Sequence, residues 1–215
     1  MRVGTLGTLA TLARVSTALN RRTFAMAAAN PVARFKTTKG VFDVELYMDK
    51  LPITCSNFVD LSKTGFYDGL SFHRVIKGFM CQFGCPNSKD PSSSRAGTGG
   101  PPGNSKYELP DGSTITRDAG GNIPDELLAP ITNAPGTVSM ANTGAPNSGG
   151  SQIFINTAKN NFLDYFDERT PSKHPVFGAI VEGMDVVKAI ESSKTNSQDK
   201  PVEPIFVETI EIIQE

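Results

Sequence analysis

Alternation of apolar and polar residues near the start of the chain constrains its fold most strongly. Residues 32–37 and 41–48 both place an apolar or small residue at every second position, and Lys39 and Gly40 lie between the two runs. A period of two is the repeat of a β-strand that buries one face. The pattern therefore predicts a β-hairpin with one face in a hydrophobic core.

Short β-type runs and two isolated helices follow along the chain. Gly 20 and Pro 15 among 215 residues favour frequent turns over a helix bundle. Helical patterns cover residues 52–63 and 184–193, and the β-type runs are residues 71–76, 78–83, 137–140, 152–156, 176–181 and 205–213. This arrangement predicts a mainly β fold, namely a closed or nearly closed antiparallel barrel with helices capping its ends.

The irregular segment of residues 85–122 is rich in Ser, Pro, Gly and Asn. It predicts one long surface excursion with at most fragments of strand. Composition leaves open whether its length serves a function or is merely tolerated. Within it, residues 97–100 (GTGG) lack the Lys-Ser/Thr of a phosphate-binding loop, so we interpret them as a flexible glycine turn.

Charge is distributed unevenly between the N-terminus and the rest of the chain. All seven charged residues among the first 42 are basic, whereas residues 43–215 carry 14 basic and 22 acidic residues. The acidic balance of the main part disfavours a nucleic-acid binder. The longest uncharged stretch, residues 127–158, is interrupted by several prolines and glycines, so it does not predict a membrane helix.

The first 30 residues have the composition of an organelle transit peptide. Apolar residues recur there at helical spacing among arginines, serines and threonines, and no acidic residue occurs. We predict a transit peptide or a disordered arm at residues 1–30 and one folded domain at residues 31–215. Arg22 lies three residues before a potential cut preceding Ala25, which favours the mitochondrion over a plastid. Met26 could start a cytosolic form, and a secretory signal is the weaker interpretation.

The usual catalytic groups are sparse. The chain has two histidines, and its three cysteines are not grouped as zinc ligands. The segment around Ser151 lacks the second glycine of a serine-hydrolase nucleophile elbow. What remains is a concentration of Phe, Met, Gln and Asn with one arginine in residues 72–82, 138–142 and 151–156. Period two would place Phe72, Arg74 and Ile76 on the same side of one strand, although an incidental arginine on a barrel strand is an equal alternative.

Five segments, FHRVIKGFMCQ, SMANTG, GGSQIFIN, TAKNNFLD and KHPVFGAIVEGMDVV, together resemble the cyclophilin family of peptidyl-prolyl cis-trans isomerases over roughly residues 32–213. The resemblance implies an eight-stranded antiparallel closed barrel capped by two α-helices, with a substrate groove on its outer face. It also implies that Arg74 is catalytic and that the proline pocket is formed by Phe79, Met80, Phe154 and Leu163. The remaining groove positions are Gln82, Ala141, Asn142, Thr143, Gln152, Phe162 and His174.

The implied reaction rotates an X-Pro amide without making a covalent bond, so no nucleophile, metal or cofactor is required. The expected partners are proline-containing polypeptides, the expected state is a monomer, and assistance to protein folding is the expected role. An alternative is a proline-peptide binding module or assembly factor whose turnover is incidental.

Several positions depart from the family pattern. Phe162 occupies the position where many members have the tryptophan that donates to cyclosporin, so weak cyclosporin binding is expected. About eight residues near 165–172 are inserted before His174, which makes that match less secure than Arg74. Cys81 and Cys85 flank Gln82; either they are redox-active or they are two small buried apolar residues.

We predict that residues 1–40 fused to a fluorescent protein direct it to an organelle, with mitochondrial signal favoured over plastid signal. The basic, acid-free amphipathic pattern is the physical basis of this expectation. Fluorescence microscopy with organelle markers measures the result, and a diffuse cytosolic signal would contradict it.

Overall fold

The computed structural model describes Met1 and residues 29–213. The predicted transit peptide or arm falls mainly on residues 2–28, so it lies outside the described residues. The helices are α1 (Pro52–Lys63) and α2 (Met184–Glu191), and short 3-10 turns occur at Pro86–Lys89 and Asn161–Leu163. The strands are β1 (Val32–Thr37), β2 (Gly40–Leu46), β3 (Leu70–Ser71), β4 (Arg74–Ile76), β5 (Met80–Phe83), β6 (Lys106–Glu108), β7 (Thr114–Thr116), β8 (Thr137–Met140), β9 (Ile153–Asn156), β10 (Val176–Glu182) and β11 (Phe206–Ile213).

One antiparallel sheet of nine strands forms the body of the protein, in the order β3-β11-β1-β2-β10-β8-β9-β5-β4. Its two edge strands, β3 and β4, are separated in sequence by only Phe72 and His73. The sheet therefore curls until both of its edges belong to one short stretch of chain. The mainly β fold with two helices agrees with the prediction, and the count of nine rather than eight strands arises because residues 70–76 are split in two.

The split also corrects the predicted orientation of Phe72. The main-chain N–H of Phe72 donates to the carbonyl of Ile205 at 2.9 Å, beside β11, whereas Arg74 pairs with Gln82 on β5. Phe72 is consequently buried in the core, while Arg74 is exposed and Ile76 is partly buried. The expectation that the three side chains share one face is therefore wrong for Phe72, because the segment changes pairing partner within two residues.

The β1–β2 hairpin follows the predicted alternation. Ala33, Phe35 and Thr37 are buried, and the Phe35 ring stacks on Phe42 with centroids 4.6 Å apart. Asp43 is buried against the pattern because Arg34 makes a two-pronged ion pair with it, at 2.9 and 2.7 Å. Apolar side chains of the curled sheet and of both helices fill one central core.

Helix α1 has the predicted bounds, and Pro52 at its first turn fits a helix start. The residue before the helix provides no side-chain cap. Glu126, which is buried, supplies the cap from a distant loop: its carboxylate accepts hydrogen bonds from the amides of Ile53 at 3.0 Å and Thr54 at 2.8 Å. A negative charge also interacts favourably with the positive end of the helix dipole. Helix α2 ends at Glu191, two residues earlier than predicted.

The excursion of residues 85–122 contains the small β6–β7 hairpin, which is the predicted fragment of strand. Arg117, next to β7, is almost fully buried and fastens the hairpin to α1. Its guanidinium donates to Asn57 at 2.8 Å and Asp60 at 2.7 Å and lies 4.7 Å from the centre of the Tyr107 ring. In the described part of the chain, no helix is both long and apolar enough to cross a membrane.

We predict that Glu126→Ala lowers the free energy of unfolding by about 2–3 kcal/mol, because two amides at the start of α1 lose a charged acceptor. Glu126→Gln should cost less, since one acceptor oxygen remains. Urea denaturation followed by circular dichroism measures both values. The exposed Glu203→Ala serves as the control for removal of a carboxylate; equal stability of Glu126→Ala and this control would contradict the capping role.

Candidate functional site

Arg74, Gln82 and Phe154 lie side by side on three neighbouring strands. Arg74 on β4 is directly opposite Gln82 on β5, and Gln82 is directly opposite Phe154 on β9. Residues that face each other across an antiparallel pair point to the same side of the sheet. Because Arg74 is exposed, this side is the outer face of the curled sheet. The register therefore places the candidate site outside the central core.

A small apolar cluster lies on this outer face, separate from the central core. Met80, Phe154 and Leu163 are buried, and Ile76, Phe79 and Ala141 pack against them as partly buried residues. The structure thus brings together all four residues of the pocket implied by the resemblance, namely Phe79, Met80, Phe154 and Leu163. Phe162 extends the cluster: its ring stacks on Phe79 with centroids 5.8 Å apart, and it is 49% exposed.

His174 adjoins the apolar cluster despite the insertion that precedes it. Its ring packs edge-on against Phe154, with centroids 5.4 Å apart, and its Nδ1 lies 2.9 Å from the carbonyl oxygen of Met140. Its main-chain N–H donates to Leu163 at 3.3 Å. Burial lowers the pKa of His174 below the usual range, which favours the neutral ring at pH 7. A neutral, anchored imidazole serves as a wall of the pocket.

The polar side of the site is organised by two glutamines. Gln82 Nε2 donates to Gln152 Oε1 at 3.0 Å, and Gln152 Nε2 donates in turn to the carbonyls of Gly97 and Gly99, both at 2.9 Å. Gln152 therefore anchors the glycine turn of residues 97–100 at two of its carbonyl groups. These glycines form one wall of a cavity of about 460 Å³, whose other lining residues include Gln82, Ala141, Asn142, Thr143 and Gln152.

The loop after β8 completes the opposite wall. The main-chain N–H of Ala141 donates to the carbonyl of Gln152 at 3.0 Å, which continues the β8–β9 pairing. The Asn142 side chain donates to the carbonyl of Lys173 at 2.6 Å, and the amide of Thr143 donates to Ser148 Oγ at 3.1 Å. All twelve residues that the sequence places at the site consequently line either the apolar cluster, the polar cavity or the strand edge between them.

A buried network of amides supports the apolar cluster, and sequence reasoning missed it. Asn160 Nδ2 donates to the carbonyl of Phe79 at 2.9 Å and to Asn156 Oδ1 at 2.8 Å. Asn133 donates to Asp164 both from its main chain, at 2.7 Å, and from its side chain, at 2.8 Å. These bonds hold the turn that carries Phe162 and Leu163. The sequence offers as a signal only the asparagines themselves, at 133, 156 and 160, which no spacing pattern links.

Arg74 is the one residue of the site with a positive charge available to a ligand. Among the described residues, none accepts a hydrogen bond from its guanidinium, and its side chain is 44% exposed. The nearest carboxylate is that of Asp199, 3.8 Å from Nε. Free guanidinium donors therefore lie beside an apolar pocket, an arrangement suited to polarising an amide held there.

Metal ligands and cysteines are two further candidates for chemistry in the part of the chain that the structure describes. Residues 29–213 hold no cluster of three or more side chains suited to binding a metal ion. Cys81 and Cys85 are free and fully buried, and burial raises the pKa of Cys81 to about 12. Its thiol is protonated at neutral pH, which favours the interpretation of small buried apolar residues over redox activity.

Comparison with known proteins adds independent information. Residues 32–212 match the family described as cyclophilin type peptidyl-prolyl cis-trans isomerase/CLD. A peptidyl-prolyl cis-trans isomerase of Rhizopus delemar is 40% identical over 181 residues, which are 84% of this chain and 24% of that protein. This chain therefore spans about a quarter of the Rhizopus protein. A peptidyl-prolyl cis-trans isomerase-like 1 of Aspergillus fumigatus is 35% identical over 182 residues, covering 84% of this chain and 94% of the relative.

Solved structures agree with these sequence matches. The crystal structure of a cyclophilin type peptidyl-prolyl cis-trans isomerase of Cryptosporidium parvum superposes with a TM-score of 0.68 at 27% identity, covering 86% of this chain and 99% of that chain. The same protein was also solved in the presence of the dipeptide Ala-Pro, and that structure superposes with a TM-score of 0.67 over the same shares.

Proposed function

Because this chain belongs to the cyclophilin-type peptidyl-prolyl cis-trans isomerases, a family that catalyses rotation about X-Pro peptide bonds, we propose that Arg74 is the catalytic residue of this protein. We also propose that the protein assists the folding of proline-containing polypeptides. The observation that carries the proposal is the position of the Arg74 guanidinium. It lies beside the pocket of Met80, Phe154 and Leu163, and no described residue accepts a hydrogen bond from it. The polar cavity next to Gln82 would hold the peptide that flanks the proline.

The energetics of the reaction explain how an arginine can lower its barrier. Rotation about a peptide bond has a barrier of about 18–20 kcal/mol, because the resonance of the amide is lost. In the twisted transition state the prolyl nitrogen becomes pyramidal and regains a lone pair. A guanidinium donates to this lone pair better than to the planar nitrogen of the ground state, and such differential binding lowers the barrier.

One hydrogen bond does not account for the whole acceleration. A hydrogen bond from a charged group contributes roughly 1.5–3 kcal/mol, whereas a millionfold acceleration requires about 8 kcal/mol. We attribute the remainder to the preorganised seat for the proline ring, formed by Phe79, Met80, Phe154 and Leu163. The buried network of amides supports these residues through hydrogen bonds of Asn160 to Phe79 and Asn156. A pocket fixed in this way lowers the entropic cost of bringing the substrate into the reactive geometry. The apolar walls also favour the less polar, twisted amide.

We predict that Arg74→Ala lowers kcat/KM for an X-Pro peptide about 10- to 100-fold, which corresponds to loss of one charged hydrogen bond in the transition state. A protease-coupled assay measures the rate. Lys77→Ala removes a positive charge three residues further along and is the matched control. Equal rates for wild type and Arg74→Ala would contradict the proposal and favour the binding-module alternative.

We also propose that cyclosporin binds this protein weakly. Phe162 is exposed and stacked on Phe79, so it offers an apolar surface without an N–H donor. Phe162→Trp should strengthen inhibition by cyclosporin about fivefold, because a neutral hydrogen bond contributes about 1 kcal/mol. Inhibition constants of the two proteins test this. Nanomolar inhibition of the wild type would contradict it.

A further inference from the structure

We infer that Asp199 is a positioning residue for Arg74, an inference that rests on the proposed catalytic role of Arg74. Its carboxylate Oδ2 lies 3.8 Å from Arg74 Nε. Asp199 is the only carboxylate within ion-pair distance of the guanidinium among the described residues. The contact is on the Nε side, so the terminal nitrogens remain available to a substrate amide.

Hydrogen bonds within the loop that carries Asp199 fix the backbone of that residue. Asp199 adopts a left-handed backbone conformation with φ of 59°. Its N–H donates to the carbonyl of Asn196 at 3.1 Å, and the Asn196 side chain accepts from the amides of Gln198 at 2.9 Å and Lys200 at 3.1 Å. Asp is one of the few residue types other than glycine that adopt this conformation readily, so the turn defines the position from which the Asp199 side chain starts.

The same loop is fastened to the strand that carries Arg74. The main-chain N–H of Val75 donates to the carbonyl of Asp199 at 2.7 Å. The side chains of Arg74 and Asp199 therefore start from backbone positions that a hydrogen bond holds in register. An arginine with many rotamers, whose guanidinium has no hydrogen-bond acceptor among the described residues, would otherwise sample many orientations. Asp199 restricts it to those in which the guanidinium stays over the strand edge beside Gln82.

This arrangement predicts a particular kinetic signature. The pair acts on the orientation of the catalytic group rather than on the proline pocket, so its loss should lower kcat and leave KM nearly unchanged. Both side chains are about half exposed, at 44% and 46%, so salt should screen their attraction. High ionic strength should accordingly reduce the advantage of the wild type over a variant without the carboxylate.

The test is a double-mutant cycle of Asp199→Asn and Arg74→Ala in the full chain, with NMR exchange rates on an Ala-Pro peptide. Asparagine tolerates the left-handed conformation, so the loop is retained. We expect Asp199→Asn to lower kcat about fivefold, which corresponds to the loss of an ion-pair interaction of about 1 kcal/mol. In the Arg74→Ala background the same substitution should have no effect. In 1 M NaCl the fivefold difference should shrink.

Glu203→Gln, which removes an exposed carboxylate elsewhere on the surface, is the matched control and should leave kcat unchanged. The inference is overturned if Asp199→Asn has the kcat of the wild type or a higher one. It is also overturned if the variant loses the same factor in the Arg74→Ala background, since the effect would then bypass Arg74. A failure of the proposed function is distinguishable, because Arg74→Ala alone would then match the wild type.

Discussion

The site depends on one topological constraint: both edges of the curled sheet lie in the same seven residues, 70–76. The first part of this segment pairs with β11, and the last part pairs with β5. The change of partner turns Phe72 into the core and leaves Arg74 on the outer face. Arg74 is thus held on the edge strand β4. The backbone of this strand pairs with β5 on one side and is hydrogen-bonded to Asp199 through Val75 on the other. Gln82 and Phe154 take their positions from the same register.

The second structural requirement is a pocket that keeps its shape without being part of the main core. The buried part of this cluster consists of only Met80, Phe154 and Leu163. Buried hydrogen bonds among Asn133, Asn156, Asn160 and Asp164 support the turn that carries Phe162 and Leu163. Buried polar groups that are fully paired specify one arrangement of their surroundings. We therefore propose that this network of hydrogen bonds fixes the shape of the apolar pocket.

The sequence allowed prediction of the elements whose signals are local. The β1–β2 hairpin and α1 were recognisable because periodicity reports directly on burial, and the residues of the pocket followed from a family resemblance. The break at Phe72 was not predictable, because it depends on which distant strand each half of the segment meets. The same holds for the anchoring of Gly97 by Gln152 and the capping of α1 by Glu126, where partners 55 and 72 residues apart meet only after folding.

We propose that Arg74 accelerates rotation of an X-Pro bond that the apolar pocket holds. The most direct measurement is two-dimensional exchange NMR of a proline peptide at saturating concentration, with wild type and with Arg74→Ala. Saturation removes differences in binding, so only the rotation of the bound amide is compared. We expect strong cis–trans exchange peaks with the wild type and much weaker ones with the variant. Equal exchange in the two samples would contradict it.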